Sequence, residues 1–155
     1  MRCKPSLNNV RIYTDGGCYP NPGNGAFCAI VIYNEQEKLI AGYRPNTTNN
    51  RMELLAVVVG LSVLKQPCNV TLYSDSRYTV DTINSWIYGW HKKNWMRSKT
   101  HPVKNLDLIQ KIWELIHIHK VNAVWVKGHN GNHYNEKCDR TCSKMMKEKL
   151  KTYIV

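Results

Sequence analysis

Acidic side chains are scarce in this sequence. Its 155 residues hold 11 Asp and Glu against 22 Lys and Arg, giving a formal charge of +11 and a pI of about 9.5. A balance so one-sided exceeds what solubility needs and favours polyanionic partners such as nucleic acid. Long apolar runs are missing too: Gly60, Ser62 and Lys65 break the longest one well short of the roughly 18 positions of a membrane span. The opening stretch MRCKPSLNN lacks the apolar segment of a signal peptide, so an intracellular protein without membrane contact is expected. The six cysteines (Cys3, Cys18, Cys28, Cys68, Cys138 and Cys142) form no C-x-x-C pair, which argues against a zinc site or disulfide framework and leaves reduced, packed thiols. Repeats and linker stretches are absent as well. The length suits one domain over residues 1–155, with a short tail at 1–8 and a core that needs no staple.

What is present is an ordered series of elements. Short apolar blocks at Val10–Tyr13, Ala26–Tyr33 and Leu39–Tyr43, separated by PNPGNG and NEQEK, predict an antiparallel three-strand meander. RPNTTNNRMELLAVVVGLSVLKQP is apolar on almost every face, and Val57–Val59 would suit a strand. Its length, a Thr48 or Asn49 cap, and Pro67 shortly after Lys65 decide for a buried central helix. NVTLYSD predicts a fourth strand, parallel to the first because a helical crossover precedes it. SRYTVDTINSWIYGW reads as helical turns entering a loop, and Leu106, Ile109, Ile112, Trp113 and Ile116 recur at helical spacing. VNAVWVKG is a fifth strand, and a last helix starts near Asn135. Trp113 and Trp125 are expected in the core, and Lys144–Lys151 on a solvated helix face. The order implies an α/β fold: a mixed five-stranded sheet, meander plus two parallel strands, flanked by helices.

Two of these strands run into a carboxylate, Asp15 in VRIYTDGG and Asp75 in VTLYSDSRY. One such ending is turn punctuation; two suggest a shared site. In open α/β sheets ligands gather beyond the carboxyl ends of parallel strands, where Asp15 and Asp75 would emerge together. Glu53 lies near the start of the central helix and Asp139 early in the last one, so all four acids can converge there. Carboxylates about 4 Å apart repel by about 4 kcal/mol per pair at an effective dielectric of 20. Such a cluster takes up protons or binds cations, and all-oxygen ligation suits Mg²⁺ or Mn²⁺.

The blocks YTDGGCYPNPG, TTNNRMELLA, LYSDSRYTV, WIYGWHKKNW, PVKNLDLIQ and VWVKGHNGNHYNEKCD resemble, in order and spacing, those of type 1 ribonuclease H over roughly residues 10–146. The resemblance implies a ribonuclease H-like fold and sequence-nonspecific endonucleolytic hydrolysis of the RNA strand of RNA/DNA hybrids, leaving 5′-phosphate and 3′-hydroxyl ends. By it, Asp15, Glu53, Asp75 and Asp139 match the family carboxylates that hold two Mg²⁺ ions, with Mn²⁺ as a substitute. Asp15 would bridge both ions, Asp139 would help hold the one that activates water, and Glu53 and Asp75 the one at the leaving oxygen. His129, in a Gly-flanked loop, matches a family histidine that shuttles a proton or aids product release.

A hybrid-specific nuclease must sense 2′-hydroxyls on one strand. Cys18, Asn21, Asn49 and Asn50 match family contacts to the RNA strand. Between Asp81 and Asp107 no acid occurs, while Trp86, Trp90 and Trp95 interleave with His91, Lys92, Lys93, Arg97, Lys99 and Lys104, a pattern suited to phosphates and bases. This run looks like the family's basic protrusion, about 86–104, with Trp86, Trp90 and Tyr78 lining the DNA-strand channel. Thr48 and Asn105 match a pocket for one DNA phosphate, whose third member is often an arginine where Asn46 stands here. Asn135 and Glu136 match the family block and equally suit a helix start. A monomer is expected, with only a short tail and no separate hybrid-binding domain ahead of the first strand. The residues fit a free-standing enzyme and a segment of a larger polyprotein alike. Two rivals are an inactive hybrid-binding module and a related nuclease that cuts duplex DNA or four-way junctions.

Overall fold

The computed structural model describes residues 7–149 and 152–154. Strands β1 (Asn8–Tyr19), β2 (Gly23–Tyr33) and β3 (Gln36–Thr47) form the antiparallel meander. Helix α1 (Asn49–Ser62) crosses to β4 (Cys68–Ser74), which pairs parallel with β1. Helix α2 (Arg77–Asp81), a π-helical turn (Thr82–Trp86) and α3 (Ile87–Lys92) lead into the basic loop, followed by α4 (Leu106–Ile118), β5 (Lys120–Trp125) and α5 (His133–Glu148). The sheet order is β5-β4-β1-β2-β3, and the two parallel pairings are those expected.

A sixth strand, β6 (Thr152–Ile154), adds antiparallel to β3. Three residues after a Lys-rich helix show neither the length nor the alternation of a strand. The Lys144–Lys151 helix face is therefore shorter than expected: α5 stops at Glu148, where Lys149 turns left-handed (φ 53°). Positions 150 and 151 lie outside the described residues, as do Cys3 and most of the 1–8 tail.

Strand alternation divides the core between the two sheet faces. Ile12, Val70 and Leu72 pack with Leu54, Val57 and Leu61 of α1 and Ile109 and Ile112 of α4. Tyr13, Cys28 and Ile30 pack with Cys138, Cys142 and Met145 of α5 on the other face. Helix α1 starts where Thr48 accepts from Arg51 N at 3.2 Å, which settles the cap in favour of Thr48. At the β5 edge, Asn84 of the π turn donates to Ala123 O at 2.8 Å and accepts from Ala123 N at 3.1 Å. One side chain thus occupies strand-pairing groups that would otherwise lie open.

The tryptophans depart from expectation. Trp113 is only half-buried, stacked by His91 (4.3 Å) and close to His117 (4.2 Å), with Trp95 and Tyr88 edge-on, so it anchors the protrusion to α4. Trp125 is 36% exposed rather than core, because it ends the edge strand β5, and the Arg77 guanidinium lies over its ring.

Candidate active site

Asp15 does not end its strand. β1 runs on to Tyr19 because β2 keeps pairing with it, Asp15 opposite Cys28 and Tyr19 opposite Asn24. What ends there is the other partnership: the parallel pairing with β4 stops at Tyr13 opposite Tyr73. Beyond that point the sheet opens between β1 and β4, and Asp15 and Asp75 flank the opening. Asp75 is not a helix cap either, since Ser76 caps α2 by accepting from Thr79 N at 3.2 Å.

The third acid arrives by a close backbone approach. A Cβ on Gly16 would lie 2.3 Å from Met52 C and 2.4 Å from Glu53 N, so only glycine lets β1 and α1 touch here. That contact delivers Glu53 to Asp15. Gly16→Ala is expected to push α1 outward and destabilise the fold by about 2–3 kcal/mol, as overpacking of a fixed backbone contact does. Urea unfolding measures it; a change below about 0.5 kcal/mol would show that the helix shifts freely.

Ligand oxygens of Asp15, Glu53 and Asp75 all lie within 4.8 Å of one another. Asp15 and Glu53 are buried, at 6% and 7% exposure, and Glu53 Oε2 has no hydrogen-bond partner. Burial first, then the charges of Asp75 and Asp139, push the Asp15 carboxyl up to about 7. Burial, then Asp15 and Asp75, also push Glu53 well above the carboxylate range. Three crowded carboxylates and an orphaned oxygen fit a hard divalent cation better than any grouping of protein donors.

Asp139 stands apart from this trio. Its side chain is 42% exposed on α5, 3.9 Å from Nδ1 of His129. His129 itself is 79% exposed, in a left-handed conformation (φ 55°). The residues between them hold the loop in place: Asn132 caps α5 by accepting from Asn135 N, and Glu136 accepts from Gly131 N at 3.2 Å.

Two residues of the site had no role assigned to them from the sequence. Asn135, 3% exposed, donates its amide to Asp75 Oδ2 at 3.3 Å, so it neither caps α5 nor faces solvent. Gly128 lies so close that a Cβ would sit 2.9 Å from the same oxygen. The sequence put Asn135 in a block that matches the family but left it equally suited to a helix start. The thiols of Cys138 and Cys142, donating to Tyr13 O and Asp15 O at 3.6 Å, seat α5 against β1.

The expected substrate residues gather around a depression of about 390 Å³ lined by Asn21, Pro22, Thr48, Asn49, Asn50, Lys104 and Asn105. Asn21 Oδ1 accepts from Asn49 N at 3.1 Å, joining the two turns. Asn105, left-handed at φ 59°, donates to Tyr78 OH at 3.2 Å, and Arg51 is paired with Asp107 beside it. Asn46 is absent from this depression and lines the neighbouring one, while Lys104 lines it together with Thr48 and Asn105. The Cys18 thiol turns inward to Pro20 O and Thr47 O, leaving only its backbone for a ligand. Across the protrusion, Tyr78, Trp86 and Trp90 form a tilted aromatic row at 6.2 and 6.1 Å. Tyr78 and Trp90 also line a pocket of about 160 Å³ with Arg97. Lys92 and Lys93 are exposed.

The RNase H family profile matches residues 7–147 of this chain. A ribonuclease H of Caldicellulosiruptor saccharolyticus is 48% identical over 143 residues, 92% of this chain and 99% of that one. The chain belongs to the RNase H family. As a member it is an endoribonuclease, a hydrolase. Among solved structures, LC9-RNase H1, a type 1 RNase H with the type 2 active-site motif, matches 96% of this chain and 77% of its own at a TM-score of 0.84 and 24% identity. LC11-RNase H1, solved in complex with RNA/DNA hybrid, matches 90% of this chain and 98% of its own at 0.66 and 18% identity. Both likenesses establish the RNase H fold expected from the blocks. Among the described residues no helix is long and apolar enough to cross a membrane.

Proposed function

We propose that this chain hydrolyses the RNA strand of RNA/DNA hybrids without sequence preference, leaving 5′-phosphate and 3′-hydroxyl ends. The observation that carries the reading is the trio Asp15, Glu53 and Asp75 with its orphaned oxygen, on a chain that also carries a polar depression and an adjoining basic aromatic row. A relative of the same fold is known with RNA/DNA hybrid bound, and the surface chemistry here fits that ligand.

Asp15, Glu53 and Asp75 would hold divalent metal, Mg²⁺ with Mn²⁺ as a substitute, and Asp139 would complete a second position. Divalent ions held there would supply charge stabilisation for the attacking and departing oxygens of an in-line phosphoryl displacement. The chain's own residues supply the rest. His129, exposed and 3.9 Å from Asp139, carries a proton between the site and solvent. Asn21, Asn49 and Asn50, with the Cys18 backbone, offer donors and acceptors to 2′-hydroxyls. Thr48, Asn105 and Lys104 take one DNA phosphate. Tyr78, Trp86 and Trp90 pack against the DNA strand, while Lys92, Lys93 and Arg97 neutralise its backbone.

The test is incubation with end-labelled hybrid, with and without Mg²⁺. RNA-strand cleavage that requires the ion supports the reading. Binding without cleavage would make the chain a hybrid-binding module, and faster cutting of duplex DNA or a four-way junction would change its substrate.

Asn135 enters as a positioning residue. Asn135→Ala frees Asp75 and leaves a buried gap, and loss of such a supporting hydrogen bond typically lowers metal affinity or turnover about 10–100-fold. Turnover against Mg²⁺ concentration reads this directly; an unchanged Mg²⁺ dependence and rate would remove Asn135 from the site.

A further inference from the structure

We infer that Tyr134 and Glu37 form a clamp that sets how α5 presents Asp139 and His129 to the carboxylate trio. The inference rests on the hydrolysis reading above, for which both are positioning residues rather than catalytic ones.

Glu37 stands on β3 opposite Ile32, far from α5 in the chain. Tyr134 OH donates to its Oε1 at 2.5 Å, and Lys137 Nζ donates to its Oε2 at 3.4 Å. One carboxylate thus grips the first turn of α5 at two points three residues apart, which lie on the same side of a helix. The other end of the phenol is held as well. The Tyr134 ring tilts against Tyr13 at 5.0 Å, and Tyr13 stacks on Tyr73 at 4.6 Å. The Arg11 guanidinium carbon lies 5.9 Å from the Tyr134 ring centre. Tyr134 is therefore fixed by β1 through its ring and by β3 through its oxygen.

The rest of the α5 seat cannot do this. Cys138, Cys142 and Met145 bury apolar surface, and such contact is non-directional, so it leaves rotation about the helix axis weakly opposed. Asn135 and Asp139 lie about 100–140° around the helix from Tyr134, so a rotation of α5 would swing both together. His129 would follow, because Asn132 and Glu136 tie its loop to the same turn. Asp139 also carries the sign of Asp15, Glu53 and Asp75, so before a cation arrives its charge pushes the helix away from them. Apart from the Asn135 bond to Asp75, the clamp opposes that push from outside the site.

The experiment combines Mn²⁺ binding followed by electron paramagnetic resonance, amide hydrogen exchange of metal-free protein, and turnover against Mg²⁺ concentration. Tyr134→Phe keeps the ring and removes the donor. It is expected to weaken Mn²⁺ binding, and to raise the Mg²⁺ concentration for half-maximal turnover, by about 5–10-fold, less than for Asn135 because the contact lies one step further out. The kcat at saturating Mg²⁺ and the KM for hybrid should stay within about twofold. Exchange at residues 135–139 should quicken about tenfold while β1 and β4 keep their protection. Glu37→Ala should match Tyr134→Phe, and the double variant should be no worse than either, as for two partners in one contact. Glu37→Gln keeps an acceptor for the phenol and should recover most of the affinity. Unchanged Mn²⁺ affinity and exchange would overturn the assignment. So would additive effects of the two substitutions, or a lowered Tm and smaller active fraction at an unchanged Mg²⁺ midpoint, the mark of a packing contact. Failure of the wild-type chain to cut hybrid would instead strike the hydrolysis reading, since Mn²⁺ affinity and exchange do not depend on turnover.

Discussion

Asp15→Asn is expected to lower hybrid cleavage by about three orders of magnitude or more, because an amide cannot help neutralise paired divalent ions. Hybrid binding should survive within about threefold, since the phosphate contacts lie on the protrusion and the polar depression. The same substitution should raise the Tm of metal-free protein near pH 8. It removes one charge from three that share a 4.8 Å space, and the new amide can donate to the orphaned Glu53 Oε2. Turnover, Kd and thermal melts on one preparation separate these effects. Mg²⁺-dependent turnover within tenfold of wild type would refute the metal assignment, whatever the melts show.

Metal-free protein should lose stability as pH rises from about 4 to about 7. The Asp15 carboxyl titrates near 3.8 when unconstrained and at about 7 in the fold. Across that window the folded state binds more protons than the unfolded state, so stability falls with increasing pH and levels off above it. A shift of this size in one group corresponds to on the order of 4 kcal/mol, and Glu53 moves in the same direction. Other groups act oppositely. Burial lowers His119, a hydrogen bond from Tyr134 lowers Glu37, and Arg51 lowers Asp107, so their contributions are lost as pH falls. The wild-type minus Asp15→Asn difference cancels them. Mg²⁺ competes with protons for the same oxygens, so it should raise the wild-type Tm strongly at pH 8 and little at pH 5; at 100 times its Kd the gain is about 2.7 kcal/mol. A difference curve that is flat from pH 5 to pH 8, or an equal Mg²⁺ effect at both ends, would contradict the clustering.

Much of the architecture was legible because it rests on local periodicity. The meander, the parallel β4 and β5, and the cap at Thr48 follow from alternation, helical spacing and turn residues. The features missed depend on neighbours far along the chain. β1 continues past Asp15 because β2 runs opposite it, and its two glycines read as a turn until the α1 backbone is seen against Gly16. Trp125 looked like core because its strand alternates properly, yet an edge position left it half open. Asn135 sits where a cap residue would suit, and only the approach of α5 to β4 gives its amide Asp75 as a partner. Cys18 sat correctly in its block, but side-chain direction decided that its thiol faces inward.

From the order of its residues alone, this protein had its kinds of chemistry settled: which acids are present, that they follow strands or open helices, and that an excess of cations with interleaved aromatics surrounds them. Those are properties of composition and short-range pattern. Three-dimensional folding alone decided that Asp15, Glu53 and Asp75 crowd one another while Asp139 stands off beside His129, and hence that the Asp15 carboxyl is pushed up to about 7. The reason is that repulsion between charges depends on distance and dielectric. Both are set here by a parallel pairing that stops at Tyr13 and a glycine that lets a helix touch a strand.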